Sequence, residues 1–252
     1  MIETTEQRAE PQQPRGISVV MRAVRIVGWT SIGLGLFILG FVAQQLFVTT
    51  YFAQQANNEL TAEAEIRFDD VEVAEVEYVA PTFASPGAPE IPIDPDEPVS
   101  TIFVEESPEI AEPFAIIRIP TIERLAEGWA IVEGVSRKVL RSGAGHMPST
   151  PLPGQPGNSV ISGHRTTYGA PFHELDQLQP GDLVEVETAI GVHTYSVTGT
   201  EIVNPRDLWV TDDRGGATLT LTTCHPKFSS RQRLVVFATL VSGPNAEAIL
   251  GA

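Results

Sequence analysis

The longest uncharged apolar stretch of the chain runs from Ile26 to Val48. A helix needs roughly 20 apolar residues to cross the hydrocarbon core of a bilayer, so this stretch is long enough to span it. Arginines precede the stretch, at positions 15, 22 and 25, and the first charge after it is Glu59. This asymmetry predicts a cytoplasmic N-terminus, with the rest of the chain outside. The alternative is a cleaved signal peptide, whose apolar region would be only about 7–15 residues long and end at a small-residue cleavage site. We therefore predict a cytoplasmic tail over residues 1–25 and an uncleaved transmembrane helix over residues 26–48.

Acidic residues and prolines replace the apolar pattern over residues 49–113. Half of the chain's acidic residues lie between Glu59 and Pro113, where Arg67 is the single base. Such a composition buries too little apolar surface to offset the entropy of ordering, and charge repulsion and proline favour an extended chain. We expect a disordered extracytoplasmic linker that acts as a stalk, with a weak strand pattern over residues 69–79. The net charge of -16 belongs largely to this segment, so the domain that follows is close to neutral.

Short runs of Val, Ile, Leu and Thr, separated by Gly, Pro, Asn and Asp, fill the chain from Phe114 onward. This pattern is typical of an all-β domain, and its size suits a small barrel or sandwich. The stretch from Phe172 to Leu178 has helical spacing and predicts one short helix. We place this domain at residues 114–243 and a frayed C-terminal tail at residues 244–252. The predicted strands cover residues 115–119, 129–132, 160–163, 183–188, 193–202, 218–223 and 234–240.

Cys224 is the one cysteine of the chain, which rules out an intramolecular disulfide. It ends the alternating run TLTLTTC at residues 218–224, and His225 and Pro226 follow at once. A strand end is rigid and also accessible, which suits a nucleophile. The competing interpretation is a small buried apolar residue. A nucleophilic thiol needs a basic or cationic neighbour that favours the thiolate.

Two further reactive side chains stand at the ends of predicted strands. His164 follows the run from Val160, and Arg233 opens the run RLVVFA. An imidazole can protonate a leaving amine, and a guanidinium offers a permanent charge and several donors to an oxyanion. Arg231 lies two residues before Arg233 and is an alternative for the same role, because residues two apart on a strand share a face.

Three motifs in this order resemble the sortase family: VISGHRTTYGAPF at residues 160–172, TLTLTTCHP at 218–226 and RLVVFA at 233–238. They are most similar to the class E sortases of actinobacteria. The resemblance covers residues 117–240 and leaves out the predicted anchor and linker. It implies a closed β-barrel of about seven to eight strands with one or two short helices. It also implies a cysteine transpeptidase of the endopeptidase type that anchors surface proteins to the Gram-positive cell wall.

In such an enzyme the thiol cleaves a C-terminal sorting signal of the LPxTG or LAxTG type between Thr and Gly. The Thr carboxyl is then joined to an amine of a peptidoglycan precursor. Carried onto this chain, the resemblance implies that Cys224 is the nucleophile, His164 the general acid/base and Arg233 the oxyanion stabiliser. It also suggests that Thr223 and Tyr168 contact the substrate. The expected partners are sorting-signal peptides, the amine-bearing precursor and the membrane.

Nothing in the sequence predicts a cofactor or a metal. The remaining histidines lack the spacing to a second cysteine that structural zinc sites show. These are His146, His173, His193 and His225. The strongly acidic composition also argues against nucleic acid as a partner, because such binding needs a basic surface.

Other functions compete with this interpretation. A pilin-polymerising sortase would carry the same motifs. An L,D-transpeptidase would show a different ending around its cysteine, and a papain-like peptidase would place the cysteine before the histidine, whereas here His164 precedes Cys224. A non-catalytic membrane-tethered β-domain that binds envelope proteins would need no reactive thiol.

Overall fold

The computed structural model describes residues 19–79 and 100–251 of the chain. It begins with helix α1, Val19–Asp70, whose segment Val19–Val42 is long and apolar enough to cross a membrane. Apolar side chains of this segment, such as Leu34 and Phe37, are exposed, as expected for a surface that lipid would cover. Residues 19–25, predicted as part of the tail, already belong to the helix.

The described parts of the predicted linker are ordered, which corrects the expectation for residues 49–79 and 100–113. Helix α1 continues to Asp70, and strand β1, Val73–Tyr78, pairs antiparallel with strand β2, Ser100–Glu105. The weak strand pattern over residues 69–79 thus corresponds to β1. Residues 80–99 of the predicted linker lie outside the described residues.

The contacts of Arg67 give the physical reason for this order. Its guanidinium forms ion pairs with Glu105 at 3.0 Å and with Glu112 at 2.9 Å, and it donates to the carbonyl of Glu106 at 2.7 Å. One base therefore compensates the acidic residues around it. The segment also buries Ile102 of β2 in the core of the barrel, so its apolar side chains gain burial that they could not gain alone.

Eight strands form a closed barrel in the order β10-β8-β7-β3-β4-β5-β6-β9, which confirms the predicted all-β barrel. Their bounds are β3 Pro113–Arg118, β4 Trp129–Glu133, β5 Ala144–His146, β6 Gly157–Ser162, β7 Leu183–Thr188, β8 Gly191–Val203, β9 Ala217–His225 and β10 Gln232–Ser242. The short helix α2, Glu123–Ala126, follows β3. Strand β5 has only three residues, too few to show an alternating pattern, and the sequence did not predict it.

Single 3₁₀ turns fill the longer connections, at Val139–Arg141, Leu175–Gln177 and Leu208–Thr211. The second turn lies where a helix was predicted over residues 172–178. The helical spacing there arises because Phe172, Leu175 and Leu178 all pack into the core from an irregular segment.

The C-terminal residues are packed rather than frayed, which corrects the predicted tail. Helix α3, Ala246–Leu250, follows β10, and Ile249 joins the barrel core. Asn245 is fully buried and exchanges two hydrogen bonds with the backbone of Phe103 in β2, at 2.8 and 2.9 Å. Strand β2 and the C-terminal helix are thus joined on one side of the barrel.

Alternation along β9 and β10 divides their side chains between two faces. Leu219 and Leu221 point into the main core, as does Val236 of β10. The opposite, outer face of β10 carries Val235 and Phe237, which pack with Val203 and Val210 in a separate small cluster. The outer face is therefore covered along part of β10, and the 3₁₀ turn that carries Val210 lies over it.

Candidate active site

Cys224 is the second-last residue of β9, on the outer face of the barrel. Leu219, Leu221 and then Thr223 follow the inner-face alternation, so Cys224 between Thr223 and His225 points outward. Its thiol is free and half-buried. The position agrees with a thiol held by a rigid strand and still open to a ligand.

Arg233 lies directly opposite Cys224 in the antiparallel pair of β9 and β10. Directly opposed residues place their side chains on the same face, with Cβ atoms about 4.5–5.5 Å apart. Arg231 precedes the first residue of β10, and its Nε donates to the hydroxyl of Ser229 at 3.4 Å. Of the two arginines, Arg233 is the one that the register brings to the thiol.

His164 reaches the same edge from β6, which runs parallel to β9. Ser162 pairs with Thr222, and the amide of Gly163 then donates to the carbonyl of Thr222 at 3.0 Å. Extending this register two residues past the end of β6 brings the backbone of His164 level with Cys224. The three residues thus lie at the same end of neighbouring strands, with His164 two residues beyond β6, although 60 or more residues separate His164 from Cys224 and Arg233 along the chain.

Burial lowers the pKa of His164, and the nearby charge of Arg141 lowers it further. The Tyr168 ring lies beside the imidazole, with 4.9 Å between ring centroids, and the Arg141 guanidinium lies 5.5 Å from the centroid of the Tyr168 ring. The Nε2 atom of His164 is buried and has no hydrogen-bond partner among the described residues. An imidazole nitrogen that makes no internal hydrogen bond is available for proton transfer to a ligand.

Thr223 is buried, and its hydroxyl donates to the carbonyl of Gly163 at 2.7 Å. This hydrogen bond connects the nucleophile strand to the backbone just before His164. It gives Thr223 a task different from the predicted substrate contact, which stays a prediction. Tyr168 is half-exposed next to His164, with φ of 51°, and its substrate contact also stays a prediction.

Two arginines near the site escaped the sequence analysis as functional candidates. Arg141 lies in a 3₁₀ turn and approaches His164 through Tyr168. Arg165 is only 3% exposed, and its Nη1 donates to the carbonyl of Cys224 at 3.3 Å. The sequence gives no local signal for the contact of Arg141. For Arg165, the one signal is that it directly follows His164 in the chain.

The other histidines have separate surroundings. His146 pairs with Glu133 at 2.7 Å inside the barrel, and His193 is fully buried. The Nδ1 of His173 donates to the carbonyl of Arg165, and His225 faces the guanidinium of the same residue. In the part of the chain that the structure describes, no three His, Cys, Asp or Glu side chains are grouped so that they could hold a metal ion.

The arrangement suits acyl transfer. A thiol supplies a nucleophile, an imidazole on the next strand can carry a proton, and a guanidinium on the other neighbouring strand can stabilise negative charge on oxygen.

Comparison with known proteins points to one family. The family model described as "Sortase domain" matches residues 117–241. "Sortase SrtE1" of Streptomyces coelicolor is 34% identical over 156 residues, which cover 54% of this chain and 44% of that protein. "Sortase D" of Bacillus subtilis is 35% identical over 120 residues, covering 47% of this chain and 58% of that protein. This chain therefore spans about half the length of these relatives.

A solved structure extends the comparison to the fold. The "SrtA sortase from Actinomyces oris" is 32% identical, with a TM-score of 0.51, and the match covers 54% of this chain and 83% of that chain. The family match over residues 117–241 contains His164, Cys224 and Arg233.

Proposed function

Because this chain belongs to the sortase family, we propose that it is a membrane-anchored cysteine transpeptidase, with Cys224, His164 and Arg233 as its reactive groups. The register of three adjacent strands carries this proposal. Arg233 is paired with Cys224 across β9 and β10, and the parallel pair of β6 and β9 brings His164 to the same edge. No other cysteine in the chain can supply the nucleophile.

The reaction begins on the Thr carbonyl of a sorting signal of the LPxTG or LAxTG type. The proton of the Cys224 thiol passes to His164, the resulting thiolate attacks this carbon, and Arg233 donates hydrogen bonds to the oxyanion that forms. The bond between the Thr carbonyl and the Gly nitrogen then breaks, and protonated His164 gives its proton to the departing amine. The product is a thioester between the Thr carboxyl and Cys224.

A second amine completes the transfer. The amine of a peptidoglycan precursor attacks the thioester carbon, neutral His164 takes up its proton, and the Cys224 sulfur departs. A Thr–amine amide forms and the enzyme returns to its starting state. Atoms and charges balance without any cofactor.

In this proposal the N-terminal helix holds the enzyme at the membrane. The arginines before the apolar segment favour a cytoplasmic N-terminus, with the barrel outside the cell. The expected substrate protein is held at that surface by its C-terminal signal. Anchoring the barrel there raises the effective concentration of enzyme and substrates.

The test uses the full chain in lipid nanodiscs with fluorescence-quenched Leu-Ala-x-Thr-Gly and Leu-Pro-x-Thr-Gly peptides and an amine acceptor. Mass spectrometry should find cleavage between Thr and Gly and a Thr–amine product, both lost in Cys224→Ala. Cleavage of neither peptide, together with a Cys224 that does not react with a vinyl sulfone, would replace this proposal with a non-catalytic binding domain. Comparing a cell-wall stem-peptide amine with a lysine ε-amine of a pilin-like peptide separates wall anchoring from pilin polymerisation.

A matched pair of arginine variants tests the assignment of the oxyanion group. We expect Arg233→Ala to lower kcat by about 10²–10³-fold, which is typical for the loss of one oxyanion donor. Arg231→Ala should leave kcat unchanged, because this residue precedes β10 and is not paired with Cys224 across the strands. The reverse order of effects would transfer the role to Arg231.

A further inference from the structure

Arg165 is a buried cation directly beside the proposed catalytic residues. It follows His164 in the chain, yet only 3% of its surface is exposed. Burying a guanidinium is unfavourable unless it is paired and hydrogen-bonded. One carboxylate pairs with it, that of Asp176 at 2.9 Å, and this side chain is 42% exposed. Its Nε has no hydrogen-bond partner among the described residues. One of the donors of this buried guanidinium is therefore unpaired there.

The contacts of Arg165 are made with the end of the nucleophile strand. Its Nη1 lies 3.3 Å from the carbonyl oxygen of Cys224 and 2.8 Å from Nδ1 of His225. A guanidinium can only donate, so Nδ1 of His225 is the acceptor in this contact. Arg165 therefore donates hydrogen bonds to the backbone of the proposed nucleophile and to the side chain of the next residue.

The backbone of Arg165 is fixed on the side of His164. Its carbonyl accepts a hydrogen bond from Nδ1 of His173 at 2.7 Å. Thr223 makes a second connection between the same two segments through the carbonyl of Gly163. The pair formed by Cys224 and His164 is thus flanked by two cross-links, one hydroxyl and one guanidinium.

We propose that Arg165 is a positioning residue for the transpeptidation. Its guanidinium, anchored by Asp176, clamps Cys224 and His225 against the loop that carries His164, and so maintains the spacing of thiol and imidazole through both acyl transfers. This inference rests on the proposed function. Because Arg165 is buried, it does not contact the peptide, and its loss should act on kcat and leave KM unchanged.

Four variants of the full chain in nanodiscs test the clamp. Arg165→Lys keeps the charge but loses the two-pronged geometry. His225→Leu removes the acceptor, whereas His225→Asn restores one, because Oδ1 of Asn is bonded to the same carbon position as Nδ1 of His. Asp176→Asn keeps the shape of the anchor without its charge. Arg206→Lys, at an exposed arginine outside the site, is the control.

We expect kcat for the peptide to fall about 10–100-fold in Arg165→Lys and His225→Leu, since a displacement near 1 Å can cost about 100-fold. His225→Asn should lose clearly less than His225→Leu, and Asp176→Asn should lie between the control and Arg165→Lys. All kcat values are measured well below the lowest thermal midpoint, because removing a partner of a buried guanidinium also lowers stability. Equal kcat in all variants, or a loss that follows the thermal midpoint, would overturn the clamp. Equal damage from His225→Asn and His225→Leu would overturn it as well.

The alkylation rate of Cys224 with iodoacetamide separates this inference from the proposed function. If the unmutated chain forms no peptide product, the transpeptidase proposal fails. The thiol still reports on its surroundings in that case. An alkylation rate that changes in Arg165→Lys and His225→Leu and recovers in His225→Asn supports the clamp, and equal rates in all variants refute it.

Discussion

At the residue scale, the candidate site contains two kinds of residue. Some can be recognised in the sequence by their chemical type, and others only by their contacts in the folded chain. Cys224, His164 and Arg233 stand out because few residue types can supply a nucleophile, a proton carrier and an oxyanion donor at strand ends. Arg141 does not stand out, because an exposed arginine is common on any surface. Its importance depends on Tyr168, which joins it to His164. The sequence could therefore nominate candidate reactive groups, whereas the fold decides which side chains surround them.

Arg141→Gln should raise the pKa of His164. Burial is the larger cause of the lowered pKa and stays in place, so the variant restores only the part that the Arg141 charge removes. The measurement is a pH titration of the His164 imidazole by NMR at low salt, where screening is weakest. Exposed Arg137 supplies the control, as Arg137→Gln should leave the midpoint where it is. An unchanged or lower midpoint in Arg141→Gln would contradict the assigned cause.

At the element scale, the C-terminal part of α1 is attached to the barrel by a buried amide. Nδ2 of Asn57 donates to the carbonyl of Gly128 at 3.2 Å, and the amide of Ala130 donates to its Oδ1 at 2.9 Å. Asn57 is 2% exposed, and Ala64, two turns further on, is fully buried. The expectation of a linker failed here because these partners lie about 70 residues away, and local composition carries no information about them.

Asn57→Ala should loosen this helix. It leaves one buried carbonyl and one buried amide without a partner, which should cost about 2–4 kcal/mol. Hydrogen exchange of the amides over residues 51–70 should become faster in this variant. Neighbouring Asn58 is exposed and makes its side-chain contact within the helix, with Gln54, so Asn58→Ala should change little. Identical exchange in the two variants would show that the amide does not hold the helix.

At the scale of the whole molecule, the barrel carries a buried histidine that makes its stability depend on pH. His193 is fully buried, its Nε2 lies 3.3 Å from the hydroxyl of Thr188, and burial lowers its pKa from 6.5 to about 4. The unfolded chain therefore binds a proton between these pH values when the folded barrel does not. The contribution of neutral, buried His193 to the free energy of unfolding is therefore fully present above about pH 6.5. It is lost as the pH falls towards about 4.

His193→Gln should weaken this pH dependence. Between pH 7 and pH 5 the unmutated chain should lose about 2 kcal/mol of unfolding free energy through His193. The variant lacks that contribution, although its absolute stability is lower because a packed ring is lost. Denaturant titrations followed by tryptophan fluorescence at both pH values give the difference, and His173→Gln is the control with a less buried ring. A variant whose loss on acidification equals that of the unmutated chain would contradict the prediction.

The folded unit is wider than the family match over residues 117–241. Arg67 of α1, Ile102 of β2 and Asn245 before α3 all pack on or beside the barrel. A soluble fragment that begins near Pro113 would lose the first two of these contacts. For this reason the experiments above use the full chain.

Local patterns were sufficient to predict an N-terminal helix long and apolar enough to span a membrane and most of the barrel strands, and they marked Cys224, His164 and Arg233 as candidate reactive residues. Apolar length, two-residue alternation and the reactive side chain at a strand end are properties of neighbouring residues, so they can be read along the chain. The opposition of Arg233 to Cys224 and the order found in α1, β1 and β2 are different. They arise from contacts between residues far apart in sequence, such as Arg67 with Glu105 and Arg165 with Cys224. Such contacts form only once the strands have paired, and the pattern along a single sequence does not specify which strands pair.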